Sequence, residues 1–166
     1  GVAYIPQDRQ RDGLLMSAPL WENRILGHQF AMPMANGMWV NKGAAAEDSK
    51  RVVEEFDVRT PGVNVLASAL SGGNQQRVVL AKWFAINPHL MILNGPTVGV
   101  DVGSKREILE IIRDRAKNGM AFLVVSDDIP ELIQICHRIL VIKSGKISKE
   151  FSESGLSESA LYKELN

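Results

Sequence analysis

The sequence predicts an α/β fold in which a mostly parallel β-sheet is flanked by helices. Four short, continuous apolar runs are typical of strands covered on both faces, and they span residues 2–5, 90–93, 121–125 and 139–142. Five segments with helical character lie between or after them, at residues 44–56, 75–86, 105–117, 129–135 and 157–165. Strands and helices alternate from about residue 70 onward, which indicates a layered sheet.

Local sequence signals mark several ends of these elements. Residues 104–107 (Ser-Lys-Arg-Glu) fit a capping box, which predicts a helix that begins after Ser104. Asp128 precedes a first turn that contains Pro130, so it is a candidate helix cap. Residues 144–146 (Ser-Gly-Lys) predict a tight turn between two antiparallel strands. The helix after residue 74 has little polar face, so we expect it to be buried on more than one side.

The region from residue 13 to residue 66 has weaker periodicity, with several glycines, prolines and methionines. We interpret it as a mostly helical subdomain with mobile connections. Its large apolar side chains are suited either to a contact with another subunit or to a satellite core, and the sequence leaves both open. These side chains are Leu14, Leu15, Met16, Trp21, Met32, Met34 and Trp39.

The composition excludes several classes of protein. A length of 166 residues with 45% hydrophobic content corresponds to about one globular domain. Nineteen basic residues balance nineteen acidic ones, so no overall field would attract nucleic acid or an anionic membrane surface. No stretch approaches the ~20 apolar residues of a membrane-spanning helix.

The single cysteine and the three histidines offer little chemistry. Cys136 follows an apolar helical face, so we expect a core thiol and neither an intrachain disulfide nor a cysteine metal cluster. We interpret His28, His89 and His137 as surface or capping residues, with no metal site. The chain opens on an apolar run at Gly1 without a start methionine, so we expect a fragment of a larger cytosolic protein.

The most specific motif is Leu-Ser-Gly-Gly-Asn-Gln-Gln at residues 70–76, directly before the buried helix. Two adjacent glycines allow backbone N–H groups to approach a ligand closely. Ser71 adds a hydroxyl, and the helix N-terminus adds the positive end of a dipole. Together these features predict an anion site that suits a phosphate group. For the motif taken by itself, a plain loop and helix cap is the alternative.

Motifs along the whole chain resemble, in order, those of ATP-binding cassette (ABC) ATPases. They are the Q-loop at 4–7 with its extension at 8–14, the signature motif at 70–76, the Walker B strand and D-loop at 90–101, the switch loop at 124–131 and the strand and turn that follow it at 138–146. The Asn-Gln-Gln ending of the signature is similar to the sugar-importer branch of this family, and residues 8–14 (Asp-Arg-Gln-Arg-Asp-Gly-Leu) resemble its second cassette.

The resemblance implies the C-terminal (second) cassette of the ATP-binding subunit of a ribose- or galactose-type sugar importer. The implied fold is a P-loop NTPase fold that lacks the phosphate-loop part and carries a helical subdomain. The implied site residues are Ser71, Gly72, Gly73 and Gln75 for nucleotide binding, Gln7 in the Q-loop and Asp101 in the D-loop. ATP and Mg²⁺ are implied for the complete protein, and we expect neither to bind tightly to this chain alone.

The resemblance also implies partners and a location. The partners are the other cassette of the same polypeptide and the membrane permease subunits, with a periplasmic sugar-binding protein in the assembly and no nucleic acid. The location is cytoplasmic and peripheral, on the inner face of the bacterial membrane. The implied organisation is a Q-loop strand and loop at 1–12, a helical signature subdomain at 13–69, an ATPase core at 70–150 and a C-terminal helical segment at 151–166.

Three features depart from the family pattern. A phosphate-binding loop needs Gly-x-x-x-x-Gly-Lys-Ser/Thr, which the sequence does not contain. The Walker B strand ends in Asn94-Gly95 instead of Asp-Glu, which removes the charge that holds Mg²⁺ and the group that polarises the attacking water. Asp127 stands at the position of the switch-loop histidine. We therefore assign no catalytic residue and expect this chain alone to be inactive.

The predicted function is to supply the signature motif to an ATP site that another cassette completes, while the Walker B site of this chain is degenerate. A chromosome-maintenance or DNA-repair ATPase head is a competing interpretation, but it would join a long coiled coil and retain Asp-Glu. A non-catalytic regulatory or interaction remnant of an ABC ATPase is the other alternative, and Asn94, Gly95 and Asp127 favour it.

Overall fold

A computed structural model describes residues 1–27, 35–36, 39–152 and 155–165 of the chain. His28, Met32 and Met34, singled out above, lie outside the described residues. The strands are β1 (Val2–Ile5), β2 (Ala35–Asn36), β3 (Trp39–Val40), β4 (Leu90–Asn94), β5 (Ala121–Val125), β6 (Arg138–Lys143) and β7 (Lys146–Ser152). The α-helices are α1 (Leu20–Ile25), α2 (Lys42–Glu55), α3 (Gly72–Phe84), α4 (Val102–Lys117), α5 (Ile129–Ile135) and α6 (Glu158–Leu165).

A parallel three-stranded sheet in the order β1-β4-β5 organises the fold. Its strands are three of the four predicted apolar runs, since residues 139–142 lie in β6 of a separate antiparallel pair. Parallel pairing follows from the helical crossovers between the three strands. Alternate side chains point to opposite faces, and those of Ala3, Ile5, Met91 and Leu93 are buried. The other face is open within the described ranges, with exposed apolar side chains at Val2, Tyr4, Leu123 and Val125, so the prediction of strands covered on both faces is wrong for this part of the chain.

The main core lies between the covered face of this sheet and helices α3 and α4. Helix α3 contributes Val79 and Leu80, which are fully buried, and α4 contributes Ile108 and Ile112. Each such side chain stabilises the fold by roughly 1.5–3 kcal/mol relative to exposure. The low polarity of α3 is therefore explained by burial on several sides, as the sequence predicts.

The described part of the region at residues 13–69, predicted as a helical subdomain, contains two α-helices, a short 3-10 turn at Ala67–Ala69 and irregular chain. Helices α1 and α2 pack on each other and on α3, and β2 and β3 form a two-residue antiparallel pair. The apolar side chains of this region do not form one surface. Leu14 is buried in the main core, Trp21 packs in a small cluster with Ile25 and Ala45, and Trp39 is 79% exposed.

The C-terminal part has its own small core, formed by Ile129, Ile139, Val141, Phe151 and Leu161. Strands β6 and β7 are antiparallel, and the predicted turn joins them. Ser144 (φ 49°) and Gly145 (φ 75°) occupy the left-handed region that two-residue hairpin turns require. The lone thiol, Cys136, packs at the edge of this core, where burial raises its pKa.

The predicted capping box at residues 104–107 is wrong. Helix α4 begins three residues earlier, at Val102, and its cap is Asp101, whose carboxylate accepts a hydrogen bond of 2.9 Å from the N–H of Ser104. Ser104 is thus the third residue of the helix and not its cap. The predicted cap of α5 is confirmed, because Asp128 accepts from the N–H of Glu131 at 3.0 Å. Among the described residues, no helix is long and apolar enough to cross a membrane.

Candidate functional site

The N-terminus of helix α3 carries the predicted phosphate site. Ser71 is the N-cap, with extended backbone angles, and is exposed. Its hydroxyl oxygen accepts a hydrogen bond of 2.9 Å from the side-chain amide of Asn74, and it lies 3.5 Å from the Asn74 N–H. Within the described part of the chain, the N–H groups of Gly72 and Gly73 have no acceptor, as is usual for a first helical turn. The Ser71 hydroxyl hydrogen and these N–H groups are suitable donors for an anion.

The two glycines of this motif are needed for close packing within the chain. A methyl group at Gly72 would lie 2.8 Å from the carbonyl oxygen of Gly99. One at Gly73 would lie 2.2 Å from the hydroxyl oxygen of Ser104 and 3.5 Å from a carboxylate oxygen of Asp101. The signature loop therefore lies directly against the segment predicted as the D-loop, and any larger residue would push the two apart.

The side chain of Gln75 is buried beneath the predicted signature loop and is not accessible at the protein surface. Its amide nitrogen donates to the carbonyls of Ala67 and Leu70, at 3.2 and 3.1 Å. Its amide oxygen accepts from Gln10 at 3.0 Å. Of the four predicted nucleotide-binding residues, Gln75 thus holds the chain before Ser71 in place, whereas Ser71 caps α3 and Gly72 and Gly73 are its first two residues.

Asp101 is an exposed carboxylate with a fixed orientation. One oxygen accepts from the N–H of Ser104 and the other accepts from its hydroxyl, at 2.9 and 2.8 Å. These hydrogen bonds lower the pKa of Asp101, so the carboxylate is ionised. The D-loop reaches Asp101 through Gly99, whose φ of 68° lies in the left-handed region.

Arg9 joins the predicted extension of the Q-loop to the predicted D-loop, a contact that the sequence does not indicate. Its guanidinium donates to the carbonyl oxygens of Val98 and Gly99, at 2.6 and 2.9 Å. It follows Asp8, which caps a π-helical turn over Arg9–Gly13 by accepting from two N–H groups. The only sequence signal was an arginine within a predicted loop motif, which does not reveal a partner about 90 positions away.

Gln7, Tyr4 and Asn94 line a cleft of about 540 Å³ at the carboxyl ends of strands β1 and β4. Ligands of open α/β sheets bind at this end of the strands. The amide nitrogen of Asn94 lies 3.4 Å from the hydroxyl of Tyr4. The structure therefore brings the predicted Q-loop glutamine and the Walker B position together in one cleft.

The strand end in this cleft does not fit Mg²⁺. Gly95 has a φ of 57°, and a side chain there would begin 2.8 Å from a methyl group of Val98. Asn94 offers a neutral amide where a hard divalent cation prefers charged oxygen ligands. No group of three or more acidic, histidine or cysteine side chains in the described ranges is arranged for a metal ion.

The loop after β5 holds Asp127, which is exposed, and Asp128, the cap of α5. Asp128 pairs with Lys105 of α4, which also lies 3.6 Å from the carboxylate of Glu131. The Lys105 hydrogen bond lowers the pKa of Asp128. Glu131 is 1% exposed and accepts from the hydroxyl of Thr97, so it ties α5 to the loop that follows β4.

Comparison with solved structures identifies the fold. The ATP-binding cassette MJ0796, in a dimeric post-hydrolysis state with ADP and Pi, superposes with a TM-score of 0.73 at 22% identity. The match covers 92% of this chain and 62% of that cassette. The chain has the fold of an ABC ATPase. A second dimeric structure of MJ0796 gives a TM-score of 0.72 over the same share of that cassette.

Several curated proteins to which this chain is similar are ATP-binding proteins for sugar import or transport. The chain is 37% identical over 159 residues to the ribose import ATP-binding protein of Rhodopirellula baltica and 37% identical over 161 residues to the L-arabinose transport ATP-binding protein of Geobacillus stearothermophilus. It is 35% identical over 148 residues to the galactose/methyl galactoside import ATP-binding protein of Clostridium perfringens. These matches cover 95%, 97% and 89% of the chain, which spans 30%, 31% and 28% of the relatives' lengths. No family model matches the chain.

Proposed function

We propose that this chain is the C-terminal cassette part of the ATP-binding subunit of a sugar ABC importer, and that its signature motif completes an ATP site on another cassette. One observation carries the proposal. The loop at Ser71 presents a hydroxyl and free helix N–H groups, whereas the chain's own strand end at Asn94 and Gly95 has no carboxylate. The chain thus has the groups of the signature-motif side of a nucleotide site and lacks the carboxylates of the Walker B side.

The signature loop would bind the terminal phosphate of that nucleotide. Bound ATP supplies the phosphoryl group that is transferred to water. The Ser71 hydroxyl and the N–H groups of Gly72 and Gly73 donate hydrogen bonds to phosphate oxygens, and the dipole of the 13-residue helix α3 favours the negative charge. Gln75 positions the loop from below, and Asp101 presents an oriented carboxylate beside it.

The cleft at Gln7 would be the second, degenerate nucleotide site. Asn94 preserves the shape of an aspartate without its charge, and Gly95 has no side chain to orient water. Asp127 replaces the switch-loop histidine. We propose that this site binds nucleotide without turning it over, with Mg²⁺ and ATP turnover belonging to the other site of the complete protein.

The remaining parts of the two sites would come from outside this chain. The open sheet face at Val2, Tyr4, Leu123 and Val125 is apolar, and such a surface is usually covered by another element. The matched cassettes are longer, since the chain covers 62% of them. We propose that the missing element includes the phosphate loop, and that the four regions 1–12, 13–69, 70–150 and 151–166 have the roles expected from the sequence.

The proposed assembly follows from the same reasoning. The partners would be the other cassette of the same polypeptide and the permease subunits, with a periplasmic sugar-binding protein outside. The subunit would lie on the inner face of the membrane. The names of the curated relatives, which are import ATP-binding proteins for several sugars, support this assignment.

Steady-state ATP turnover of the full-length subunit tests the proposal. Ser71→Arg places a bulky cation where phosphate would bind, and we expect turnover to fall at least about 100-fold, since placement errors at a reacting group have effects of this size. Ser159→Arg is the matched control, because Ser159 is exposed on α6. Equal turnover in both variants would reject the signature role and leave a non-catalytic remnant as the better interpretation.

A further inference from the structure

Arg9 lies where three functional segments meet. It begins the turn after the Q-loop, its two terminal nitrogens donate to successive D-loop carbonyls at Val98 and Gly99, and it packs on the signature loop. The last contact is close, because a methyl group at Gly72 would lie 2.6 Å from an Arg9 guanidinium nitrogen. The guanidinium therefore occupies the space that a side chain at Gly72 would need.

The arginine side chain is suited to this position in a way that lysine is not. Its planar guanidinium spans two neighbouring carbonyl oxygens at once, whereas an ammonium group is a point charge on a flexible stem. Arg9 is 9% exposed, and no carboxylate in the described part of the chain forms an ion pair with it. Burial lowers the pKa of Arg9, and the charge of the neighbouring Asp8 offsets this only in part, so the position needs a reason beyond packing.

The charge of Arg9 adds to the field at the signature loop. The N-terminus of α3 already carries partial positive charge, and the Arg9 cation lies against its first residue, Gly72. Two positive features side by side repel each other, and an anion next to Ser71 would relieve that repulsion.

We propose that Arg9 is a positioning residue for the ATP site that the signature motif completes. It fixes the signature loop against the D-loop and links both to the Q-loop turn. This inference rests on the proposed function, because it assumes that Ser71 contacts the nucleotide. Arg9 acts on this site through the signature loop, although its side chain also lines the separate cleft at Gln7.

Kinetics of the full-length subunit test this role through Arg9→Ala and Arg9→Lys. We expect kcat to fall about 10- to 100-fold in Arg9→Ala while KM for ATP changes less than about 3-fold, because the loop's alignment matters most in the transition state. Arg9→Lys keeps the charge but bonds only one carbonyl, so its kcat should lie between the values of the wild type and Arg9→Ala. Arg11→Ala is the control, since the Arg11 side chain is 82% exposed and pairs with Asp12, which is exposed as well.

A double variant separates positioning from a merely structural role. If Arg9 acts through Ser71, the Arg9→Ala/Ser71→Ala protein should lose no more activity than the worse single variant. Independent effects would multiply, and that result would overturn the proposal. A variant in which KM for ATP rises and kcat is unchanged would also overturn the proposal.

Folding and the proposed function are checked separately. Circular dichroism shows whether Arg9→Ala folds, and if it does not, Arg9→Lys carries the test. If Arg9→Lys also fails to fold, Arg9 is structural and the positioning role is rejected. Full turnover in Ser71→Arg would reject the proposed function itself, whereas loss in Ser71→Arg with normal kcat in Arg9→Ala would reject only the role of Arg9.

Discussion

Gly73 packs against Ser104 so closely that a methyl group on the glycine would lie 2.2 Å from the serine hydroxyl oxygen and 2.5 Å from its Cβ. This contact joins the second residue of α3 to the first turn of α4. The same serine donates to Asp101, so the predicted signature loop and the predicted D-loop pack together as one unit. A change on one side of the contact must move the other.

Gly73→Ala should therefore destabilise the chain by about 1–3 kcal/mol, the usual cost of overpacking a buried contact. Gly43→Ala is the matched control, because Gly43 is also the second residue of a helix and its nearest neighbour would be an ordinary 3.5 Å away. In the control, helix propensity should leave stability unchanged or raise it by up to about 1 kcal/mol. Urea unfolding of both variants measures the difference, and equal stabilities would contradict the contact.

Much of the fold was predictable because hydrophobic patterns report burial. The runs at Val2–Ile5 and Ala121–Val125 are strands with the predicted bounds, and the hairpin at Ser144 and Gly145 follows from turn chemistry. The motif at residues 70–76 lies at the predicted helix N-terminus, but the helix begins at Gly72, three residues before its predicted start. These features depend on neighbours in the sequence, so local reasoning reaches them.

Contacts between residues far apart in the chain could not be predicted from the sequence. The sequence does not indicate that the side-chain amide of Gln75 donates to the buried carbonyl of Leu70. It also does not indicate that Arg9 donates to the carbonyls of Val98 and Gly99. The start of α4 was misplaced because Ser104 and Asp101 both fit a cap, and only the structure shows which one accepts the first-turn N–H. In each case the deciding partner is set by tertiary packing.

Arg77 offers a test of how the helices around the core are held together. Its side chain is 4% exposed and donates to the carboxylates of Asp57 and Glu107 and to the carbonyl of Phe56. Arg77→Lys should cost about 1–3 kcal/mol, because one ammonium group cannot reach these separate acceptors. Arg106→Lys, at an exposed pair with Glu110, should change stability by less than about 0.5 kcal/mol. Thermal and urea unfolding distinguish the two, and a similar small effect at both positions would show that the buried network contributes little.

Glu131 predicts a pH dependence of stability. Burial raises its pKa above the ordinary value near 4.5, against the opposing effects of Thr97 and Lys105. The folded state therefore holds this proton to higher pH than the unfolded chain does. Its contribution is complete below the unfolded pKa and is lost as pH rises through the folded pKa.

Glu131→Gln removes that titration while keeping the side-chain shape. We expect the stability of the variant relative to the wild type to increase as pH rises through the weakly acidic range into neutrality. Urea unfolding at a series of pH values measures this, with Glu110→Gln at an exposed position as the control. A difference that is flat with pH, or that falls, would contradict a raised pKa.

Replacing Gly95, directly after β4, by a residue that carries a carboxylate should lower the stability of the chain. The Gly95 φ of 57° costs a residue with a side chain about 1–2 kcal/mol, and a contact of 2.8 Å with Val98 adds to that cost. Gly119 has a φ of 92° with nothing within 4 Å, so Gly119→Ala measures the backbone cost alone. Gly95→Ala should be less stable than Gly119→Ala in urea unfolding.

Gly95→Glu, alone or with Asn94→Asp, should then add no ATP turnover to the full-length subunit beyond the activity that depends on Ser71. The physical reason is that the loop conformation, and not only the missing carboxylate, prevents a side chain at residue 95 from holding a water molecule over the cleft. The decisive measurement is turnover in the Ser71→Arg background, in which the proposed function expects the activity of the other site to be suppressed. Turnover that reappears on adding both substitutions would mean that the loop adapts readily and that this site lost only its acidic side chains.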